Sequence, residues 1–475
     1  MTSFRVCLIV DNPLRDLDGL VLLGWHLARQ GLDVWLVPMY EQSFDVRAIN
    51  ADFVLANYVR ANNLDHLMAY RREGIRVGVL DTEGVGGKTP IEFAALVAAS
   101  GGAAVVDLYC VWGVAQKSAL IEIGAVPADR IQVTGCPRYD YCATPWRNIL
   151  AVPAAVPGYV LVNTNFPVIN PRFSSDADDE IGNAVKVGFS REFAESYARD
   201  ARVAHAGMLS LMDTILERWP NQRFILRPHP FESLESYRRL ERYPNFSLCQ
   251  DGTSVEWLSQ AVALLHLNCS TAVEASMLGK PALSPAWLDT PTLHVPVPNS
   301  VSQLAASPEA LLNALDAVFC SSTSVGNRQA REPLQAVRAA YHHIDGHAAQ
   351  RVAKAIVSAL SREPNPNVGF TPRLKSRVVL FFRELLGHRT TAKLVGLGQL
   401  LSASQRRRAK LFNTKQVHSL VSRLNACDPQ GSEVKVQAMN CASLYRPRLA
   451  SQLSVRLTTG DEFNLASWDH VQNSV

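Results

Sequence analysis

Short apolar runs separated by helical periodicity organise the first third of this chain. Runs at residues 5–10, 34–37, 53–56, 76–80, 108–111 and 131–134 have the length and composition of buried strands. Between the first two, Leu20, Leu23 and Leu27 recur at i, i+3, i+7, and Gly31 ends the helix they imply. Strand–helix–strand repetition of this kind predicts a parallel sheet with helices on both faces. The unit closes at Gly135-Cys136-Pro137-Arg138-Tyr139-Asp140, and a stretch rich in Ala, Pro and Val (residues 151–158) reads as an interdomain linker. A second alternation follows, with strands expected at 159–162, 223–226, 246–249, 263–267 and 281–283. The periodic segment 189–219 predicts one long helix or two short ones, and helical residues 335–361 close the globular part. The expected fold class is therefore α/β, with Rossmann-like domains over 1–150 and 158–360 and a tail over 361–475. Two such domains joined by a linker would enclose a cleft, a usual place for ligands.

Composition narrows the class. A chain of 475 residues exceeds one hydrophobic core, and 47% apolar with 19% charged residues is ordinary for a globular protein. No apolar run approaches the roughly 18–20 residues needed to span a bilayer. The start, Met-Thr-Ser-Phe-Arg, enters an apolar strand that stops at Asp11, unlike a signal peptide. Nine scattered cysteines without a CxxC pair predict free thiols in a reducing compartment, not a disulfide frame or zinc site. A cytoplasmic location is the expectation. Charge, however, is segregated. Residues 361–475 hold 17 Lys and Arg against 7 Asp and Glu, whereas residues 1–360 hold 30 against 36.

The candidate chemistry lies at predicted strand ends. Arg227-Pro228-His229-Pro230 follows an apolar run, and each proline holds its predecessor extended, which fixes the direction of the imidazole. Ligands of open α/β sheets bind beyond the carboxyl ends of strands, so Arg227 and His229 there suggest a phosphate. Another strand leads into Asn268-Cys269-Ser270-Thr271 and then Glu274. Ser270 and Thr271 would cap a helix or donate to phosphate oxygens. Glu274 would either stabilise the helix start or accept from ribose hydroxyls. Asn163-Thr164-Asn165 forms a third polar strand end, with Asn163 and Asn165 as further donor contacts. In the first domain Asp81-Thr82-Glu83-Gly84-Val85-Gly86-Gly87 places two carboxylates among glycines, as a close-approaching base would need, or simply as a solvated turn would have. Asp16 and Asp18 form a DxD, but at a helix start the two acids face apart, so no metal site is expected.

These pieces together resemble the GT-B glycosyltransferases, two Rossmann-like domains facing each other across a cleft. Arg227-Pro228-His229-Pro230 with Ser270-Thr271 looks like the HP and Ser/Thr motifs of bacterial sialyltransferases, capsule Kdo transferases and CDP-glycerol glycerophosphotransferases. Gly135 to Asp140 is similar to the Gly-x-Pro-Arg-x-Asp segment of the last two groups, and Asn12 to Asp18 resembles surface carbohydrate biosynthesis proteins. The resemblance implies that His229 holds the donor phosphate, that Ser270 and Thr271 hold its oxygens, and that Glu83 is the general base. The first acid of the family motif is missing at Thr82, with Asp81 one residue early, so Asp81 is the rival base. It further implies a CMP- or CDP-linked donor, no cofactor, and a glycan or lipid-linked acceptor in surface polysaccharide (capsule or lipopolysaccharide) assembly.

The expected function is thus metal-independent glycosyl transfer from a cytidine nucleotide of the CMP-ulosonic acid type. The alternatives are CDP-glycerol-type phosphotransfer, nucleotide-sugar 2-epimerisation, and a non-catalytic scaffold. The tail combines Arg373, Lys375 and Arg377 with the apolar 378–382, then Arg383, Leu385-Leu386 and a cluster at Arg406-Arg407-Arg408-Ala409-Lys410. An amphipathic basic tail predicts peripheral attachment to the anionic inner face of the cytoplasmic membrane. The plainer alternative is that this segment packs on the second domain. With the rest of the chain acidic, no nucleic-acid partner is expected.

Overall fold

The computed structural model describes residues 4–475 apart from 85–88, 152–156, 175, 187–188, 321–336, 362–369, 387–408, 439–453 and 460–475. The chain forms two compact units. One comprises Met1–Ile149 with Tyr341–Val475, the other Leu150–Ala340.

In the first unit the strands are β1 (Arg5–Val10), β2 (Asp33–Pro38), β3 (Phe53–Ala56), β4 (Arg76–Leu80), β5 (Leu108–Val111) and β6 (Ile131–Val133). They are parallel and lie in the order 2-1-3-4-5-6. In β1 to β5 the largely apolar sequences match burial on both faces, with Val6, Leu8, Val54 and Val77 fully covered. The helix Pro13–Ala28 starts where Asn12 accepts from the Leu14 N–H and Pro13 sits at the first turn. It comes so near the segment after β6 that a Cβ at Gly19 would lie 2.6 Å from the Arg138 nitrogen.

The second unit carries β7 (Val160–Asn163), β8 (Phe224–Arg227), β9 (Phe246–Leu248), β10 (Ala263–His266), β11 (Ala282–Pro285) and β12 (Gln303–Ala305). All are parallel, in the order β12-β11-β10-β7-β8-β9, which is the doubly wound arrangement 3-2-1-4-5-6 read from the other edge. The periodic segment after β7 is one helix, Arg191–Arg218, capped by Ser190 and burying Ala201, Met208, Met212 and Ile215. The sequence reading missed β12, a three-residue edge strand with two exposed positions and hence little apolar signal.

The expected domain limits and the separate tail need correction. The helix Ala348–Leu360, expected to close the second domain, belongs to the first. The carboxylate of buried Asp140 accepts the N–H groups of Ala348 (2.9 Å) and Ala349 (2.7 Å) at the helix start. Arg76 donates to the Leu360 carbonyl at its end (3.0 Å). Beyond it, the helix Phe370–Leu386 packs on the helix Gln42–Ile49, and Leu380 enters the core of the first unit. The helix Thr414–Cys427 packs on the first helix, where the Trp25 indole N–H meets Asn425 (2.8 Å). Two further strands, β13 (Lys435–Ala438) and β14 (Val455–Thr458), extend the first sheet antiparallel from β2. Pairing with the exposed edge of β2 gives this segment its structural reason to fold back, since it covers an otherwise open ladder. Arg406-Arg407-Arg408, Gly86-Gly87 and the middle of the linker lie outside the described residues.

Among the described residues, no helix is long and apolar enough to cross a membrane, and every described cysteine is free.

Candidate functional site

Each unit has a place where the strand order reverses, and ligands of open parallel sheets bind beyond the strand ends there. In the second unit this point lies between β7 and β10. The last residues of three adjacent strands stand in register, His266 beside Asn163 and Asn163 beside Arg227. The loops that carry the predicted donor residues therefore leave from neighbouring positions.

Asn163 is buried, its Nδ2 donating to Thr271 Oγ1 (3.0 Å) while its Oδ1 has no partner among the described residues. That bond ties the β7 end to the β10 loop across the switch point. Ser270 does not cap the short helix Thr271–Met277, since it makes no side-chain capping bond and is exposed. His229 is half-buried, and its Nδ1 accepts the Phe231 N–H (3.2 Å). In a neutral ring this puts the proton on Nε2, which makes that atom a donor.

Glu232, which the sequence reading overlooked, is fully buried and holds the loops together. Its carboxylate accepts the His229 N–H (3.1 Å) and the Thr164 hydroxyl (3.0 Å), and Tyr237 donates to it as well. Burial pushes this carboxyl up despite those donors. A glutamate three residues after His229 was visible in the sequence, but its partners come from separate elements. His266, also overlooked, is fully buried, so that desolvation lowers it to about 3 and it stays neutral. Its Nδ1 accepts the Cys269 N–H (3.3 Å), and its Nε2 pairs with Ser302 Oγ (2.8 Å), which orients the loop before Ser270.

Two predicted donor residues take structural partners. The Arg227 guanidinium is buried and bonds the carbonyls of Asp251 and Gly252, and burial lowers its pKa. Glu274 is buried and accepts from the Ser254 hydroxyl. Asn165 lies half-buried in the β7 loop.

In the first unit the order reverses between β1 and β3, and a small pocket opens at these ends. Asp16, Asn57, Asp81, Cys136 and Arg138 are among its lining residues. Asp81 is buried, and both backbone bonds it accepts, from Glu83 (3.0 Å) and Gly84 (3.2 Å), go to Oδ1. Desolvation pushes its carboxyl up to about 6, with Arg60 opposing and Glu83 adding to the rise. Gly84 has a φ of +56°, and a side chain there would strike Trp112, so glycine is needed to turn the chain after Asp81.

Glu83 differs. Its side chain is half-exposed and pairs with Arg60 (2.8 Å) and Arg15 (3.8 Å). Burial alone would raise it, but these guanidiniums outweigh that and hold it below the ordinary glutamate value. Arg15 is shared with Asp11 (2.6 Å) and Asp16 (2.8 Å), and Lys410 of the C-terminal segment also pairs with Asp11. Asp16 is thus bound by Arg15 and the Asn12 N–H (3.0 Å). Among the described residues, no group of three or more His, Cys, Asp or Glu is arranged to hold a metal ion.

No protein-family profile matches this chain, and no curated protein matches it. Among solved structures, it is similar to a UDP-N-acetylglucosamine 2-epimerase at 14% identity and a TM-score of 0.47, covering 78% of this chain and 100% of that one. A Methanocaldococcus jannaschii UDP-GlcNAc 2-epimerase, in complex with UDP-GlcNAc and UDP, gives 12% and 0.46 over 75% of this chain and 100% of that one. The wall teichoic acid polymerase TagF gives 13% and 0.37 over 65% and 72%. At such scores these likenesses decide neither the family nor the reaction.

Proposed function

We propose that the chain is a glycosyltransferase acting on a cytidine nucleotide sugar. The second unit would hold the donor phosphate, and the first would deprotonate an acceptor hydroxyl on a glycan or lipid-linked glycan. The observation that carries this reading is the second unit's switch point. A histidine with its proton directed to Nε2 and a serine that makes no capping bond stand beyond the strands on either side of β7 there, while buried Asn163 ties the β7 end to the Thr271 hydroxyl. The His229 Nε2–H and the Ser270 hydroxyl supply neutral donors for an anion, placed before charge grows on it. The cytidine base is what the HP and Ser/Thr motifs of the sequence imply.

In the reaction, the bond from the sugar carbon to the phosphate oxygen breaks and its electron pair stays on the phosphate. His229 Nε2–H and the Ser270 hydroxyl would stabilise that charge. The acceptor oxygen forms the new bond to carbon, and its proton passes to Asp81. Asp81 suits this role better than Glu83, because a base with a pKa of about 6 is unprotonated near neutrality yet still basic. Glu83, held by two arginines, is the weaker base and orients them instead.

Calorimetric titration with CMP, CDP, UDP and GDP in EDTA tests the donor, with CMP or CDP expected to bind best. Preference for UDP, or binding only with added magnesium or manganese, would refute it. Product analysis with CMP- and CDP-linked donors then separates sugar transfer from phosphotransfer, 2-epimerisation and the absence of reaction.

A further inference from the structure

The helix Phe370–Leu386 has two unlike faces. Ser376, Val379 and Leu380 are buried against the first unit, at 3%, 8% and 2% exposure. Leu374, Val378, Phe381 and Phe382 are 51%, 45%, 54% and 41% exposed. Their i, i+4, i+7, i+8 spacing makes one continuous outward stripe, finished by the contact between the two phenyl rings (5.8 Å). Scattered exposed apolar residues are ordinary, but a contiguous stripe on a fixed helix marks a contact surface. Beside it Lys375 is exposed, and Arg373 and Arg377 are half-exposed. The stretch 373–382 holds Arg373, Lys375 and Arg377 and no Asp or Glu.

We propose that this face docks on an anionic lipid surface. An apolar stripe bordered by cations matches the boundary between acyl chains and negative headgroups, where each part finds its preferred medium. A second copy is a poor occupant, since an isologous contact would bring Arg373, Lys375 and Arg377 of both chains together with no acid on that stretch to offset them. Nucleic acid would satisfy the cations and leave the leucine and phenylalanines in water. Because Leu380 anchors the helix in the core, the face is preformed and needs little ordering on contact. The docking is independent of the donor site.

The test is co-sedimentation of the full chain with vesicles containing phosphatidylglycerol or only phosphatidylcholine, at low and high salt. Binding is expected to the anionic vesicles only and to weaken with salt. The variant Leu374→Ser/Phe381→Ser/Phe382→Ser should bind at least tenfold more weakly, with its circular dichroism and melting temperature unchanged because the replaced side chains are exposed. Lys375→Glu should bind a few-fold more weakly and serves as a second, milder variant. Equal binding of the triple variant and the parent, equal binding to neutral vesicles, or no binding at all would overturn the proposal. So would a dimer of the parent that becomes monomeric in the triple variant by light scattering, which would assign the face to a second copy.

Discussion

The two units place their candidate sites at the same topological position and furnish them with opposite chemistry. At the first unit's switch point charges crowd together. Asp11, Arg15, Asp16, Glu83, Arg60 and Lys410 form a paired network beside Asp81, a buried carboxyl with a raised pKa and no ion pair among the described residues. The second unit's switch point exposes neutral donors, and its buried carboxylate, Glu232, faces inward to hold loops rather than outward to meet ligand. The lesson is that a parallel sheet supplies only the location. Which charge state a strand-end group holds depends on how many counterions and backbone donors its neighbours bring.

Removing the C-terminal segment should have the largest effect on this pair, because that segment belongs to only one of them. A chain ending at Ser361 loses β13, β14, the helix Thr414–Cys427 and Leu380 from the core. The first unit should then fail to fold or melt far lower, while the second keeps its melting transition in calorimetry. Unchanged melting of both would return this segment to the status of a dispensable tail.

Next in size is Asp81→Asn, expected to lower turnover by about 10²–10⁴, the usual contribution of a general base, with donor affinity unchanged. Asparagine keeps an oxygen for the Glu83 and Gly84 N–H groups, so the fold should persist. Because the folded carboxyl titrates near 6, above its ordinary value of 3.8, the stability it contributes is full below about pH 4 and lost as pH rises through about 6. At neutral pH the substitution should therefore raise stability, by up to the order of 3 kcal/mol. Turnover of the parent should fall below about pH 6 as Asp81 takes up a proton. Glu83→Gln should lower turnover less than tenfold. The reverse ranking of these two variants in steady-state kinetics would restore Glu83 as the base.

His229→Ala should weaken donor binding about ten- to a hundredfold, or roughly 1.5–3 kcal/mol, the range for a hydrogen bond to a charged group. Melting should change little, because the loop remains held through the backbone N–H at position 229 and Glu232. The smallest effect is expected of Ser270→Ala. Loss of a true cap costs about 1 kcal/mol, but Ser270 makes no capping bond, so stability should hold while donor affinity drops less than tenfold. A clear loss of stability would show that the serine supports the helix after all.

Much of the scaffold was legible in the chain. Buried strands read as apolar runs, so β1 to β5, β7, β8, β10 and β11 could be located from composition alone, and the shorter β6 and β9 were located too although each has an exposed middle residue. The prolines around His229 and the polar residues after β7 and β10 marked the strand ends, because backbone restriction and burial are local properties. Register and neighbours were another matter. That Asn163 stands between Arg227 and His266, or that Glu232 joins His229 to Thr164, follows from strand order, which no short window contains. The same holds for Arg227 and Glu274, whose side chains turn to Gly252 and Ser254 inside the unit.

The sequence by itself determined the α/β class, the punctuation of the strand ends and the basic excess after residue 361. It could not assign that excess a place, because periodicity shows that a face is apolar and not what will cover it. Only the tertiary structure decided that Leu380 joins the core while Phe381 and Phe382 stay outside, and that among the described residues Glu83 is ion-paired while Asp81 is not. Both outcomes depend on long-range neighbours, since desolvation and Coulomb attraction act through space and take no account of separation along the chain.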